Sequence, residues 1–300
     1  MSDVIIFAGG IDNTVEAEGM DRMNITWPGN QLELISQLSS LGKPVVVLQM
    51  GGGQVDSSSL KNNSNINSLI WGGYPGQSGG QAILDILTGA RAPAGRLVTT
   101  QYPADYVFEF SQDDMSVRPN SSDGNPGQTY KWYTGTPVYE FGTGLFYTNF
   151  SISASPSNTS TTFNISDLLS IADPDYAYTD LVPFFNYTVT VTNTGSVASD
   201  YTAILFANTT NAGPAPYPNK WVAGFERLAS IAPGASATLT IPVTVGNMVR
   251  YAESGDAVLY PGNYELGLNN EREAVVPVEL VGGDEVVMHW PIAEQQVPPS

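Results

Sequence analysis

The spacing of hydrophobic and polar residues changes character between residues 150 and 180 of this chain. Before that stretch, continuous apolar runs alternate with helical spacing. Val4-Ile5-Ile6-Phe7-Ala8 reads as a buried strand. Pro28 to Leu41 reads as a helix, with Pro28 in its first turn, an apolar face of Leu32, Ile35 and Leu38, and Gly42 as its stop. Pro44 to Met50 is again a continuous apolar run, the signature of a parallel strand covered on both faces. Asn67 to Trp71 predicts a third strand, Gly80 to Leu87 a short helix closed by Gly89, and Leu97 to Thr100 a further strand. Strand and helix in alternation predict an α/β domain over residues 1–150, built on a mainly parallel sheet flanked by helices. Within it, residues 101–150 lack regular periodicity but are rich in Tyr, Phe and Trp. They read as an extended aromatic arm packed on the domain.

Ser151 to Thr162 is rich in Ser and Thr, so residues 151–179 read as a linker. Beyond it the period falls to two. Tyr187–Thr192, Ala203–Ala207, Ala237–Val243, Tyr264–Leu268 and Ala274–Leu280 read as strands, separated by Asn193-Thr194-Gly195, Pro233-Gly234 and Pro261-Gly262. This predicts an all-β sandwich of about seven strands over residues 180–300. Nothing in it suggests chemistry; Trp221 and Phe225 are expected to pack between the domains.

Charge narrows the functions available. The net charge is -18 although charged residues make up only 13% of the 300, because Lys and Arg together number 11. No basic patch is available for nucleic acid, and an anionic membrane surface would repel the chain. A neutral sugar is compatible. The chain has no Cys and one His, His289, so thiolate or polyhistidine metal sites and a Ser-His triad lack material. No metal and no cofactor is expected, and His289 is placed on a terminal strand without a chemical role. Asn-x-Ser/Thr acceptors at Asn24, Asn62, Asn120, Asn149, Asn158, Asn164, Asn186 and Asn208 favour a secreted glycoprotein. No signal peptide precedes the first strand, so a secreted form implies further chain ahead of it.

Chemistry is concentrated in Gly9-Gly10-Ile11-Asp12-Asn13-Thr14-Val15-Glu16-Ala17-Glu18-Gly19-Met20-Asp21-Arg22, just past the carboxyl end of the first strand, where open α/β sheets place their ligands. In an extended segment Glu16 and Glu18 would share a face. Carboxylates this dense are solvated, paired or put to use. Asp21 and Arg22 read as an ion pair fixing the loop. Asp12 and Asn13 suit either sugar hydroxyls or turn chemistry. Tyr74, Trp71 and Trp132 offer stacking faces for a sugar or packing for the interior. Gln54 and Asp56, after Gly51-Gly52-Gly53, are polar residues at a strand's carboxyl end.

The segments GGIDNTVEAEGMDR, WPGNQLELI, GKPVVVLQMGGGQVD, IWGGYPGQSGGQAILDILTG, APAGRLVTTQYP and YTGTPVYEFGTGL together resemble glycoside hydrolase family 3, in particular its fungal β-xylosidases. VTVTNTGSVASDY, KWVAGFERL and PGNYELGL extend the likeness to a fibronectin type III-like module. The resemblance implies a retaining hydrolase of β-xyloside oligosaccharides, working with two carboxyl groups roughly 5–5.5 Å apart. The nucleophilic Asp is expected on an amino-terminal barrel absent from this chain, whose α/β domain would then be amino-terminally truncated. The acid/base carries over onto Glu16 or Glu18. The position two before the Glu18-Gly19 pair favours Glu16, with Glu18 a neighbour that helps hold the loop. Glu18, Asp12 and Tyr74 are the residues expected at substrate. The competing function is a non-catalytic carbohydrate- or protein-binding scaffold, which has no need of the acidic loop.

Overall fold

The computed structural model describes residues 2–111, 113–154, 161–171 and 178–291, so Asn158 lies outside the described residues. The described chain is mostly β with few helices. It divides into two compact units, one holding residues 1–91 and 96–144 and the other 92–95 and 145–300.

The first unit is built on β1 (Ile5–Gly10), β2 (Val45–Met50) and β3 (Ile66–Gly73), paired in that order and parallel throughout. Helix α1 (Gln31–Ser39) connects β1 to β2, α2 (Ser58–Lys61) lies between β2 and β3, and α3 (Gly79–Thr88) follows β3. Period-2 geometry sends Ile5, Phe7, Val45, Val47 and Leu69 to one face, where they pack with Leu32 and Ile35 of α1, Leu60 of α2 and Trp27. Ile35, Val45 and Val47 are fully buried. Ile6, on the other face of β1, is 52% exposed. The run at residues 4–8 is therefore a strand covered on one side only.

Two expected elements differ. Helix α1 starts at Gln31, because Gly29 takes φ 58° and Asn30 has non-helical backbone angles, which leaves Pro28 outside the helix. Leu97–Thr100 is not a strand of the sheet. It runs beside the returning arm instead: Leu97 N–H bonds Thr143 O at 2.8 Å, and Gln101 N–H bonds Tyr139 O at 2.9 Å. The arm is ordered by its aromatics, as its composition predicts. Tyr102 stacks on Tyr106 with ring centroids 3.9 Å apart, and Tyr133 meets both edge-on. Helix α4 (Thr129–Trp132) is the one α-helical turn among the described residues of the arm.

In the second unit β4 (Phe150–Ala154), β5 (Thr162–Asn164) and α5 (Ile165–Ser170) occupy much of the stretch expected as linker. Residues 150–154 pair antiparallel with β6 (Pro183–Asn193), so Ile152 is packed against the core and the Ser/Thr content marks a solvent face, not a tether. The remaining strands are β7 (Ser199–Thr209), β8 (Trp221–Ile231), β9 (Ser236–Thr244), β10 (Arg250–Tyr251), β11 (Ala257–Leu259), β12 (Gly262–Leu268), β13 (Glu273–Val281) and β14 (Glu285–Met288). Sheets β5-β13-β12-β7-β8 and β4-β6-β9 enclose one core; β10-β11-β14 is a smaller third sheet. All their pairings are antiparallel except β13 with β5. Tyr187, Val189, Leu239 and Ile241 from one sheet meet Leu205, Tyr264 and Leu266 from the other, and the Tyr187 hydroxyl donates to Ala274 O at 2.6 Å. Trp221 is buried in this core and donates Nε1–H to Asn247 O at 2.7 Å. Phe225 faces solvent at 75% exposure. The expectation that both pack between domains is corrected for Trp221, whose place is inside one unit. His289 follows β14, its Nδ1 3.4 Å from Asp256 Oδ1.

Candidate active site

β1 ends in Gly9-Gly10, and the chain leaves the sheet there. The Gln31 amide, at the first turn of α1, clamps the exit: Oε1 accepts Gly10 N–H at 2.7 Å and Nε2 donates to Gly10 O at 2.9 Å. Ile11 N–H then bonds Met50 O at 3.0 Å and Ile11 is buried. These contacts fix where the acidic loop begins.

The loop is two successive turns, not an extended segment. Val15 and Glu16 N–H both bond Asp12 O, at 2.9 and 3.0 Å. The Asp12 carboxylate accepts Thr14 Oγ1–H at 2.6 Å and Thr14 N–H at 2.9 Å, and these bonds hold its carboxyl below the usual carboxylate range. Asp12 is therefore engaged in turn chemistry. Ala17 and Met20 then exchange backbone bonds of 2.9 and 3.1 Å, placing Glu18-Gly19 at the tip. Gly19 takes φ 74°, as the third position of a type II turn requires. Glu16 and Glu18 thus do not share the face of a strand. Glu18 is exposed at the tip, and Glu16 is half-buried at the base.

Arg22 pairs with Glu16, which corrects the expected pairing of Asp21 with Arg22. Its Nε donates to Glu16 Oε2, and its Nη1 donates to Gln54 O at 2.9 Å. The guanidinium is 13% exposed, so it bridges two loops from a largely desolvated position. Asp21 is exposed. The second loop is Gly51-Gly52-Gly53, at the carboxyl end of β2. A Cβ on Gly53 would stand 2.6 Å from Arg22 Nη2 and 3.5 Å from both Glu16 carboxylate oxygens; one on Gly52 would stand 2.7 Å from the Tyr74 ring. Missing side chains let the acidic loop and Tyr74 lie directly on this backbone. Tyr74 is 57% exposed above it. The geometry therefore gathers Glu16, Arg22 and Tyr74 around one glycine-lined strand end, with Glu18 exposed at the tip of the same loop.

Residues 1–147 match the family described as the glycosyl hydrolase family 3 C-terminal domain.

This chain carries the family 3 C-terminal domain.

Over 297 residues the chain is 67% identical to a probable exo-1,4-beta-xylosidase xlnD of Aspergillus fumigatus, covering 99% of this chain and 37% of that protein. The solved structure of a family 3 exo-beta-xylosidase (XlnD) in complex with a xylobiose aziridine activity-based probe superposes with a TM-score of 0.92 at 62% identity, over 98% of this chain and 38% of that one. A beta-glucosidase from Listeria innocua in complex with gluconolactone shares the fold, with a TM-score of 0.70 at 23% identity over 94% of this chain and 37% of that one. The chain thus spans little more than a third of the length of these relatives.

In the family 3 domain, the polar residues after the triple glycine serve the arm. Gln54 Oε1 accepts Tyr102 N–H at 2.8 Å, and Asp56 Oδ2 accepts Ala104 N–H at 2.9 Å. Asp56 Oδ1 also accepts Ser58 N–H at 2.8 Å, at the start of α2. Their side chains are anchors within the protein. Trp132 lies under Arg118, whose guanidinium carbon is 5.4 Å from the ring centroid, and Trp71 is half-buried on β3. Neither is as open to a ligand as Tyr74. Sequence reasoning missed the Gln31 clamp. The available signal was the pairing of a diglycine exit with a Gln at the start of the next helix.

Proposed function

We propose that this chain is the carboxyl-terminal portion of a secreted, retaining exo-β-xylosidase that removes terminal xylose from xylo-oligosaccharides. In this reading a preceding barrel domain supplies the nucleophilic Asp, the acidic loop supplies the acid/base from Glu16 or Glu18, and the second unit is a fibronectin type III-like module. The observation that carries it is the acidic loop itself, held over the glycine-lined strand end of a family 3 domain. A scaffold protein gains nothing from exposing one carboxylate and clasping another there. The xylosidase names of the relatives support xylose as the sugar. The exposed Ile6, on the uncovered face of β1, offers apolar surface to the barrel.

The two-carboxyl mechanism requires both groups. The isolated chain should therefore show no measurable turnover of aryl β-xylosides, whereas the longer protein carrying the barrel should hydrolyse them. Steady-state assays of both, purified free of contaminating hydrolases, make the comparison. Robust turnover by the isolated chain, or none by the longer protein, would overturn the reading.

Secretion rests on the glycosylation acceptors. Asn24, Asn62, Asn149, Asn164 and Asn186 are exposed, while Asn120 and Asn208 are half-buried, with Asn208 Oδ1 enclosed. Glycopeptide mass spectrometry of protein from a secretory host should find glycans on several of the exposed five. All five empty would count against passage through the secretory route.

A further inference from the structure

We infer that Gln31 is a positioning residue: its side-chain amide stands in for a neighbouring strand at Gly10 and so sets the direction in which the acidic loop leaves the sheet. The inference rests on the xylosidase reading above and holds whichever glutamate of the loop is the acid/base. β1 is the edge strand in the order β1-β2-β3. Ile5 N–H and Ile11 N–H bond carbonyls on the β2 side, Pro44 O and Met50 O. Peptide groups alternate in direction along a strand, so the N–H and carbonyl of Gly10 point away from β2. On that edge no strand is paired among the described residues. Backbone donors and acceptors taken from water need partners. The Gln31 amide supplies both, with Oε1 accepting Gly10 N–H at 2.7 Å and Nε2 donating to Gly10 O at 2.9 Å.

A neutral amide offers one donor and one acceptor side by side, the pair a neighbouring peptide group would present. The diglycine lets it approach: a Cβ on Gly9 would lie 2.3 Å from Gln31 Oε1. The amide is also rigidly mounted. Gln31 is the first residue of α1, and Ile35, one turn further on, is fully buried in the core with Val45 and Val47 of β2. The core therefore fixes the helix, the helix fixes the amide, and the amide fixes Gly10. Asp12, whose carbonyl accepts the first turn of the acidic loop, is two residues on. Gln31 acts through the backbone of that loop and touches no reacting atom.

Two substitutions in the full-length protein test this, with xylobiose, whose leaving alcohol needs a proton, and 2,4-dinitrophenyl β-xyloside, whose phenolate leaves without one. Gln31→Met keeps the length of the side chain and loses both hydrogen bonds. It should lose ~10–100-fold in kcat/KM on xylobiose, since misplacement by about 1 Å can cost ~10²-fold. On the dinitrophenyl substrate it should lose under about threefold, because no general acid is used in the first bond cleavage that kcat/KM reports. Gln31→Glu adds a pH signature. Its carboxylate repels Gly10 O, whereas its protonated form again offers a donor beside an acceptor. Its kcat/KM on xylobiose, relative to wild type at each pH, should rise as the pH falls, while the ratio for Gln31→Met stays flat. In the isolated chain, amide hydrogen exchange at Ile11 should quicken in Gln31→Met.

A merely structural amide would lower both substrates alike. Equal losses for Gln31→Met, a Gln31→Glu ratio indifferent to pH, or unchanged exchange at Ile11 would each overturn the positioning role. If the wild-type full-length protein turns over neither substrate, the xylosidase reading fails instead, and exchange in the isolated chain still decides whether Gln31 holds the exit of β1.

Discussion

Replacing the acid/base of the acidic loop by Ala, as Glu16→Ala or Glu18→Ala, in the full-length protein should slow hydrolysis of xylobiose by ~10²–10⁴-fold, the usual contribution of a general acid. A general acid matters in proportion to the leaving group's need for a proton. The first step on aryl xylosides with acidic phenols should therefore be largely spared, and the second step, which needs the same group as base, should become limiting. Burst kinetics on an aryl xyloside would then appear in the variant, with a covalent glycosyl-enzyme detectable by mass.

Gly10→Ala should destabilise the first unit by on the order of 3 kcal/mol or more, combining backbone strain with overlap in a packed position. Gly10 takes φ 126°, and a Cβ there would lie 2.0 Å from Met50 O, the acceptor for Ile11 N–H. The residue cannot move aside, because the Gln31 amide holds both its N–H and its carbonyl. Gly19→Ala is the matching control. Gly19 also has positive φ, 74°, but nothing within 4 Å of a Cβ, so its cost should stay near ~1 kcal/mol. The urea midpoint of the transition that exposes the buried Trp27 reports both. Equal midpoints for the two variants would mean that the exit from β1 is not the rigid point the geometry makes it.

The parts of the fold that the sequence discloses are those where one physical rule acts alone. β1 and β2 are short, mostly apolar runs ended by glycines, which read as buried strands of a parallel sheet. The alternation in β6 and β9 is equally plain, because Val189, Val191, Leu239 and Ile241 face inward between Thr residues that face out. β8 escaped notice because Phe225, Glu226 and Arg227 are exposed in succession, which breaks its alternation. Leu97–Thr100 misled in the opposite sense. Its residues look like a strand, but the hydrogen bonds of Leu97 and of Gln101 just beyond it go to Thr143 and Tyr139 of the returning arm, not to a neighbouring strand of the sheet. Ser151–Ala154 looked like a tether because Ser and Thr suit linkers and the solvent face of a sheet equally well.

The same contrast holds at the site. The place of the acidic loop, past a strand's carboxyl end, follows from the apolar run before it. The partner of Arg22 does not. Adjacency suggested Asp21, whereas the Asp12 and Ala17–Met20 turns fold the chain back so that Glu16 meets the guanidinium. The roles of Gln54 and Asp56 are hidden for a similar reason: the backbone amides they hold, at Tyr102 and Ala104, lie in an arm with no periodicity to mark its path.

The central claim is that this loop supplies the acid/base of a retaining xylosidase, and azide rescue tests it most directly. Azide needs no base to attack a glycosyl-enzyme. With an aryl xyloside, azide should accelerate turnover of one of the full-length variants Glu16→Ala and Glu18→Ala and yield β-xylosyl azide of retained configuration, while leaving the other unchanged. If azide rescues neither variant, the acid/base lies outside this loop and the account is contradicted.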